Sequence, residues 1–140
     1  MKSSATKWKV SGSDLALSLV GVAQAHHSGS VYDPDKRQTY TGVLSQVEWV
    51  APHVLIHVDV KDASGKVTPW VFEGSPPAWY HHRNIKRSDV ERGLGQMVKI
   101  TGLPARTGIA LGRVEDIQFA DGSHWTPGTY ASQLQGDKDP

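Results

Sequence analysis

The residues of this chain best suited to chemistry are four histidines in two groups, His26 with His27 and His53 with His57. Neutral imidazole is the commonest protein ligand for zinc and copper, so such a set raises metal binding as the first question. His53 and His57 lie four apart in an alternating stretch. On a strand they share one side but stand ~13 Å apart, too far to grip one ion together unless the strand bends. His26 offers a better partner to either. Cleavage after Ala25 would make His26 the N-terminal residue, which presents an α-amine and an imidazole to one metal ion. An amine and two imidazoles suit Cu(II), which favours tetragonal nitrogen sites. The competing reading makes His26 and His27 leader remnants and lets His53, beside Pro52, bond a backbone carbonyl.

That cleavage is itself written in the sequence. Lys2, Lys7 and Lys9 supply a positive start, Leu15 to Ala23 is a short apolar run, and Ala23-Gln24-Ala25 fits the small-x-small pattern of a cleavage site. Residues 1–25 therefore read as a Sec-type bacterial signal peptide, and the expected location is periplasmic or secreted. The apolar run is too short to span a bilayer, and no later segment reaches about 18 consecutive apolar residues, so no membrane span is expected. The 140-residue chain has no cysteine. Disulfides, thiol catalysis, thiolate metal sites and iron–sulfur clusters are excluded. The net charge is +1, and the leader holds three lysines and Asp14, so residues 26–140 carry −1. Such a balance argues against a strong nucleic-acid binder, whose affinity rests on many phosphate contacts.

The elements that must position these residues read as β. Residues 28–38 are polar and turn-rich, with Asp33-Pro34 as a turn, and 26–38 are expected to form an extended N-terminal arm. Thr39 to Val50 alternates, with Val43, Val47 and Trp49 on one face. Ala51-Pro52 interrupts it. From His53 to Val60, Val54, Ile56, Val58 and Val60 share one face and His53, Leu55, His57 and Asp59 the other. Asp62 to Gly65 is a hairpin turn, and Val67 to Glu73 a third strand in which Pro69 marks an edge or a bulge. Ser75 as cap with Pro76 at the first position opens a short helix, and Ser88 with Glu91 suggests a second capping box. Gln96 to Thr101 and Leu111 to Phe119 are strands four and five, with Gly102 to Gly108 as a loop between them. Asp121-Gly122 makes a turn, and His124-Trp125 adds a short final pairing. Three strands, a helix and two strands is the order of the OB-fold. The expected fold is mainly β: a five-stranded OB-like antiparallel barrel over residues 39–125, with one short helix between strands 3 and 4 and a flexible tail at 126–140.

Around this frame lie further candidates. Trp49 continues an inward register and reads as core, while Trp70, Phe72, Trp79 and Tyr80 either fill the barrel or line a pocket. His81, His82, Arg83, Lys86, Arg87 and Arg92 mix cations with those aromatics, as single-strand binders do, or form a solvated basic loop. Asp59 shares a face with His57 and could orient its imidazole. General acid/base catalysis would need two such groups held in a pocket. None of the hydrolase, metalloprotease, phosphate-loop or dinucleotide motifs occurs.

Four spaced motifs carry a family likeness: Ala25-His26-His27-Ser28; Thr41-Gly42-Val43 with Val47-Glu48-Trp49, Pro52-His53-Val54 and His57 to Asp62; Trp70 to Pro76; and Val98 to Gly102. In this the chain resembles a family of small exported bacterial proteins, the domain-of-unknown-function family 6152, over roughly residues 25 to 122. The resemblance implies export and brings no activity. The leading expectation is thus an exported, non-catalytic OB-like binding domain with a small molecule or a periplasmic protein as partner and no nucleic acid. Its ligand face would be drawn from Asp59, Trp70, Phe72, Trp79, Tyr80 and Arg83. One alternative is a copper or zinc protein using His26, His27, His53 and His57, with no other cofactor. Another is a small enzyme or enzyme subunit using His57 and Asp59.

Overall fold

A computed structural model describes residues 31–127. The leader, His26, His27 and the tail beyond Pro127 lie outside the described residues. Six strands follow in order: β1 (Gln38–Glu48), β2 (Leu55–Lys61), β3 (Val67–Glu73), β4 (Met97–Pro104), β5 (Leu111–Gln118) and β6 (His124–Trp125). Their order in the sheet is β3-β2-β1-β4-β5-β6, antiparallel throughout, and a parallel pairing of β3 with β5 closes the first five into a barrel. This is the expected OB-like topology, with β6 added outside the barrel on β5. Gly65 and Gly122 supply the positive φ, +86° and +84°, that the two hairpin turns need.

The core follows from alternation. Val54, Ile56 and Val58 are fully buried and point inward from β2 and its approach, while Leu55, His57 and Asp59 face out at intermediate burial. In β1 the alternation changes phase. Leu44 pairs with Val58 but Gln46 with His57, so Ser45 is an extra residue in a β-bulge. Before the bulge Tyr40, Gly42 and Leu44 face inward; after it Val47 does. Val43 therefore lies on the opposite face from Val47, not on the same one. A strict period of two cannot cross a bulge, and this corrects the expectation for that residue.

Two aromatic groups fill the interior. Tyr40 meets Trp70 and Phe72 at centroid distances of 4.5 and 5.1 Å. Tyr80 meets Trp49, Trp79 and Trp125 at 5.1, 5.2 and 5.5 Å. Tyr80 comes from α1 (Pro77–His82), which plugs one end of the barrel and is followed by α2 (Arg87–Glu91). The helix starts differ from expectation. Pro76 is the cap of α1 and Ser75, nearly fully buried, donates its backbone N–H to the Tyr80 hydroxyl at 2.9 Å. The box at α2 is set two residues earlier than Ser88: the Asp89 carboxylate accepts from the Lys86 backbone N–H at 2.8 Å. Gly102 to Pro104 also departs from the expected loop, because all three remain in β4, paired with Val114 to Gly112 of β5.

The arm is tied to the barrel. Tyr32 bridges Ala105, the Asp33 N–H donates to Pro104 O at 2.9 Å, and the Arg106 N–H donates to Val31 O at 2.9 Å. A single 3-10 turn (Pro34–Lys36) then leads into β1. Arg37 completes the attachment with a two-pronged bond to Glu115, its Nη2 2.9 Å from Oε1.

Candidate functional site

Strand β2 lies between β1 and β3, and its two histidines use different neighbours. His53 sits just before β2, after the cis Ala51–Pro52 bond, and turns toward β3. Its Nδ1 is 2.9 Å from Gly74 O and 3.2 Å from Glu73 Oε1. Both neighbours are acceptors, so Nδ1 carries a hydrogen. In the neutral ring the lone pair then resides on Nε2. Glu73 is shared: its Oε2 accepts from the Tyr32 hydroxyl at 2.6 Å. Arg113 lies opposite Glu73 in the parallel β3–β5 register and is 4 % exposed. The result is a polar cluster of His53, Glu73, Tyr32 and Arg113, outside the barrel core and partly roofed by the arm.

Burial and Glu73 act together on Tyr32. Desolvation, the hydrogen bond to Glu73 and the charge of Glu73 raise its hydroxyl well above the usual phenol range, and Arg113 offsets only part of this. Tyr32 is thus a neutral donor to a carboxylate over the ordinary pH range. The same carboxylate stands against the His53 imidazole, an arrangement that holds a histidine ring in one orientation.

His57 turns the other way. Its Nε2 is 2.6 Å from Glu48 Oε1 on β1, and both side chains are more exposed than the His53 pair, at 26 % and 36 %. Asp59, expected as its orienter, lies two residues further along the same face, and Glu48 takes that place. A bulge explains why: it brings Glu48 onto the outward face diagonal to His57. The structure therefore does not bring His53 and His57 together, nor His57 and Asp59. Among the described residues no group of three or more histidines and carboxylates is arranged to hold a metal ion.

The expected ligand-face residues divide. Phe72 and Tyr80 are fully buried core and cannot serve as an outer surface. Trp70 and Trp79 are half-buried against that core, and the Arg83 guanidinium stacks over the Trp79 ring at 3.9 Å. Arg92 stacks on Phe119 at 4.1 Å and Arg87 binds Glu91 at 2.6 Å, so much of the basic loop is engaged locally. Sequence reasoning missed Tyr32, which sits in a turn-rich arm without periodicity, and Arg113. It also left Glu48 and Glu73 without partners, although alternation alone places Glu73 on the outer side of β3.

No curated protein and no solved structure matches this chain significantly. A family model does match, over residues 15–121, which is most of the chain and takes in the apolar run, both histidine pairs and all five barrel strands. The chain belongs to the family of unknown function DUF6152.

Proposed function

We propose that this protein works outside the cytoplasm as a non-catalytic binding domain, and that it takes its ligand or partner on the outer side of the barrel at His53. The observation that carries this reading is the cluster of Tyr32, His53, Glu73 and Arg113. Charged and polar groups half-removed from water cost free energy that an apolar arm contact would not, so their retention at one spot supports a binding role. The leader-like residues 1–25 support export. The catalytic alternative has less in its favour, because His57 pairs with Glu48 on an open sheet face and not with Asp59 in a pocket.

Two measurements test the reading separately. Expression of the full chain in a bacterial host should give a processed product outside the cytoplasm, starting at His26 by intact mass; an unprocessed cytoplasmic chain overturns export. Thermal-shift screening of residues 26–140 against small anions, sugars, amino acids and metal ions should find a ligand that raises Tm in the native chain and not in Glu73→Gln. Equal shifts in both proteins would move the binding site elsewhere, and turnover of any compound would overturn the non-catalytic half.

A further inference from the structure

Away from His53, a groove of about 270 Å³ lies on the outer face of β1, β4 and β5, beside the turn that leads into β6. Its position follows from register. Lys99 pairs with Thr41 on one side and with Gln118 on the other, so three polar side chains stand in one row across the sheet. The next row begins with Val43 opposite Met97 and ends at Ala120, just past the last residue of β5. Ala120 is exposed and fills little space there, where a longer side chain would close the groove. Met97, 49 % exposed, supplies an apolar wall, and Phe119 adds an aromatic one. The groove is thus polar along one row and apolar along the next.

Charge decides what such a groove can take. Lys99 is exposed and makes no hydrogen bond or ion pair among the described residues. The carboxylates nearby are already engaged. Asp116, one row away, accepts from His124 and Thr126 at 2.9 and 3.0 Å. Asp121 accepts from the Ser123 N–H at 2.8 Å and stands 3.8 Å from Arg92 Nη1. Arg92 is committed in turn, stacked over Phe119 and donating to Asp89 O at 3.0 Å. A lysine can guard an open sheet edge, but β4 has a strand on each side, so Lys99 has no edge to guard. Among the described residues that line the groove there is one cation and no carboxylate. One ammonium calls for one negative charge, with the Gln118 amide and the Thr41 hydroxyl offering neutral hydrogen bonds beside it. A phosphate dianion would need a second cation.

We propose that this groove binds a small organic monoanion, its carboxylate held by Lys99 with Gln118 and Thr41 alongside, its compact apolar body against Met97, Ala120 and Phe119. The volume is at the small end of ligand pockets, which limits the ligand to the size of a simple aromatic or cyclic aliphatic acid. The site is separate from the His53 cluster, and neither reading depends on the other.

Benzoate and cyclohexanecarboxylate are suitable probes, followed by amide chemical shifts of the full chain. Saturable shifts should centre on Thr41, Lys99, Gln118 and Ala120. Benzamide, with the same ring and no charge, should bind at least about tenfold more weakly than benzoate. Lys99→Gln should lose about tenfold or more in benzoate affinity, and Lys99→Arg should retain most of it. Lys61→Gln, which removes a cation at the end of β2, should change nothing. Ala120→Leu should exclude both probes while its denaturation midpoint stays at the native value. Glu73→Gln should bind benzoate as the native chain does, which separates this site from the one at His53. Shifts centred elsewhere, equal affinity for benzamide, or native affinity in Lys99→Gln would each overturn the site. So would the lack of a saturable response to either acid at about 10 mM.

Discussion

Two histidine–carboxylate pairs flank one strand, and they differ in almost everything but composition. His57–Glu48 is a diagonal pair across β1 and β2, alone on an exposed sheet face. His53–Glu73 is roofed by the arm, shares its carboxylate with a buried tyrosine, and faces a buried arginine. The direct contact is shorter in the exposed pair, 2.6 against 3.2 Å. Contact length therefore does not rank them. An exposed pair exchanges its bond with water at little net gain, whereas the buried Tyr32 hydroxyl depends on Glu73 for its acceptor. The cluster is where substitution should be felt.

Mutation can break or sharpen that contrast. The largest effect should come from the barrel core. Phe72 is fully buried in the core, packed against Trp70 and Tyr40, and Phe72→Ala should cost about 3–5 kcal/mol in chemical denaturation, enough to erase the difference by loosening the whole barrel. Next, Glu73→Leu leaves the buried Tyr32 hydroxyl without its acceptor and should cost about 1–3 kcal/mol. A cost no larger than that of Glu48→Leu would remove the distinction between the two sites. Tyr32→Phe keeps the packing and loses one bond, for a cost of roughly 1.5 kcal/mol near neutral pH. It should also change the alkaline response. Tyr32 titrates higher in the folded chain than the ordinary 10.0, chiefly through burial and then through Glu73, and burial raises Tyr40 and Tyr80 as well. The unfolded chain then loses protons first, so stability is fully present below pH 10 and declines as pH rises above it. Denaturation midpoints from pH 9 upward should fall less steeply in Tyr32→Phe than in the native protein. The smallest effect is Glu48→Gln, under about 1 kcal/mol by the same assay.

The sequence disclosed the barrel through β2. Its uninterrupted alternation from Val54 to Val58 assigns inside and outside without ambiguity, and it correctly puts His53 and His57 on the outer face. It did not disclose β1 in the same way, because the bulge at Ser45 has no residue signature and reverses the face of everything before it. The end plug was legible from Pro76 and the aromatics behind it, although the cap fell one residue later than read. The cluster at His53 was only half legible. A pairwise reading of neighbours in sequence sees His57 with Asp59; it cannot see His57 with Glu48 or His53 with Glu73, because those meetings depend on strand register. Tyr32 was invisible for a related reason. Nothing local marks an arm residue whose hydroxyl finds its acceptor 41 positions away.

The closing β3–β5 pairing uses only part of β3, and the rest of that strand has a guard. In β3 only Val71 to Glu73 pair with β5, so Val67 to Trp70 have β2 on one side and, among the described residues, no strand on the other. An unpaired run of this kind invites another chain to add a strand and start an aggregate. The N–H of Val71 is used toward β5, by Ala110 O, and residue 69 two positions earlier points the same way. That residue is proline, which has no N–H to offer. Pro69 thus withholds the one central donor the open edge would present, and Val67, 54 % exposed at its end, is left without a template beside it. In a chain without a single cysteine to hold it shut, solubility at this edge depends on a bond that cannot be made.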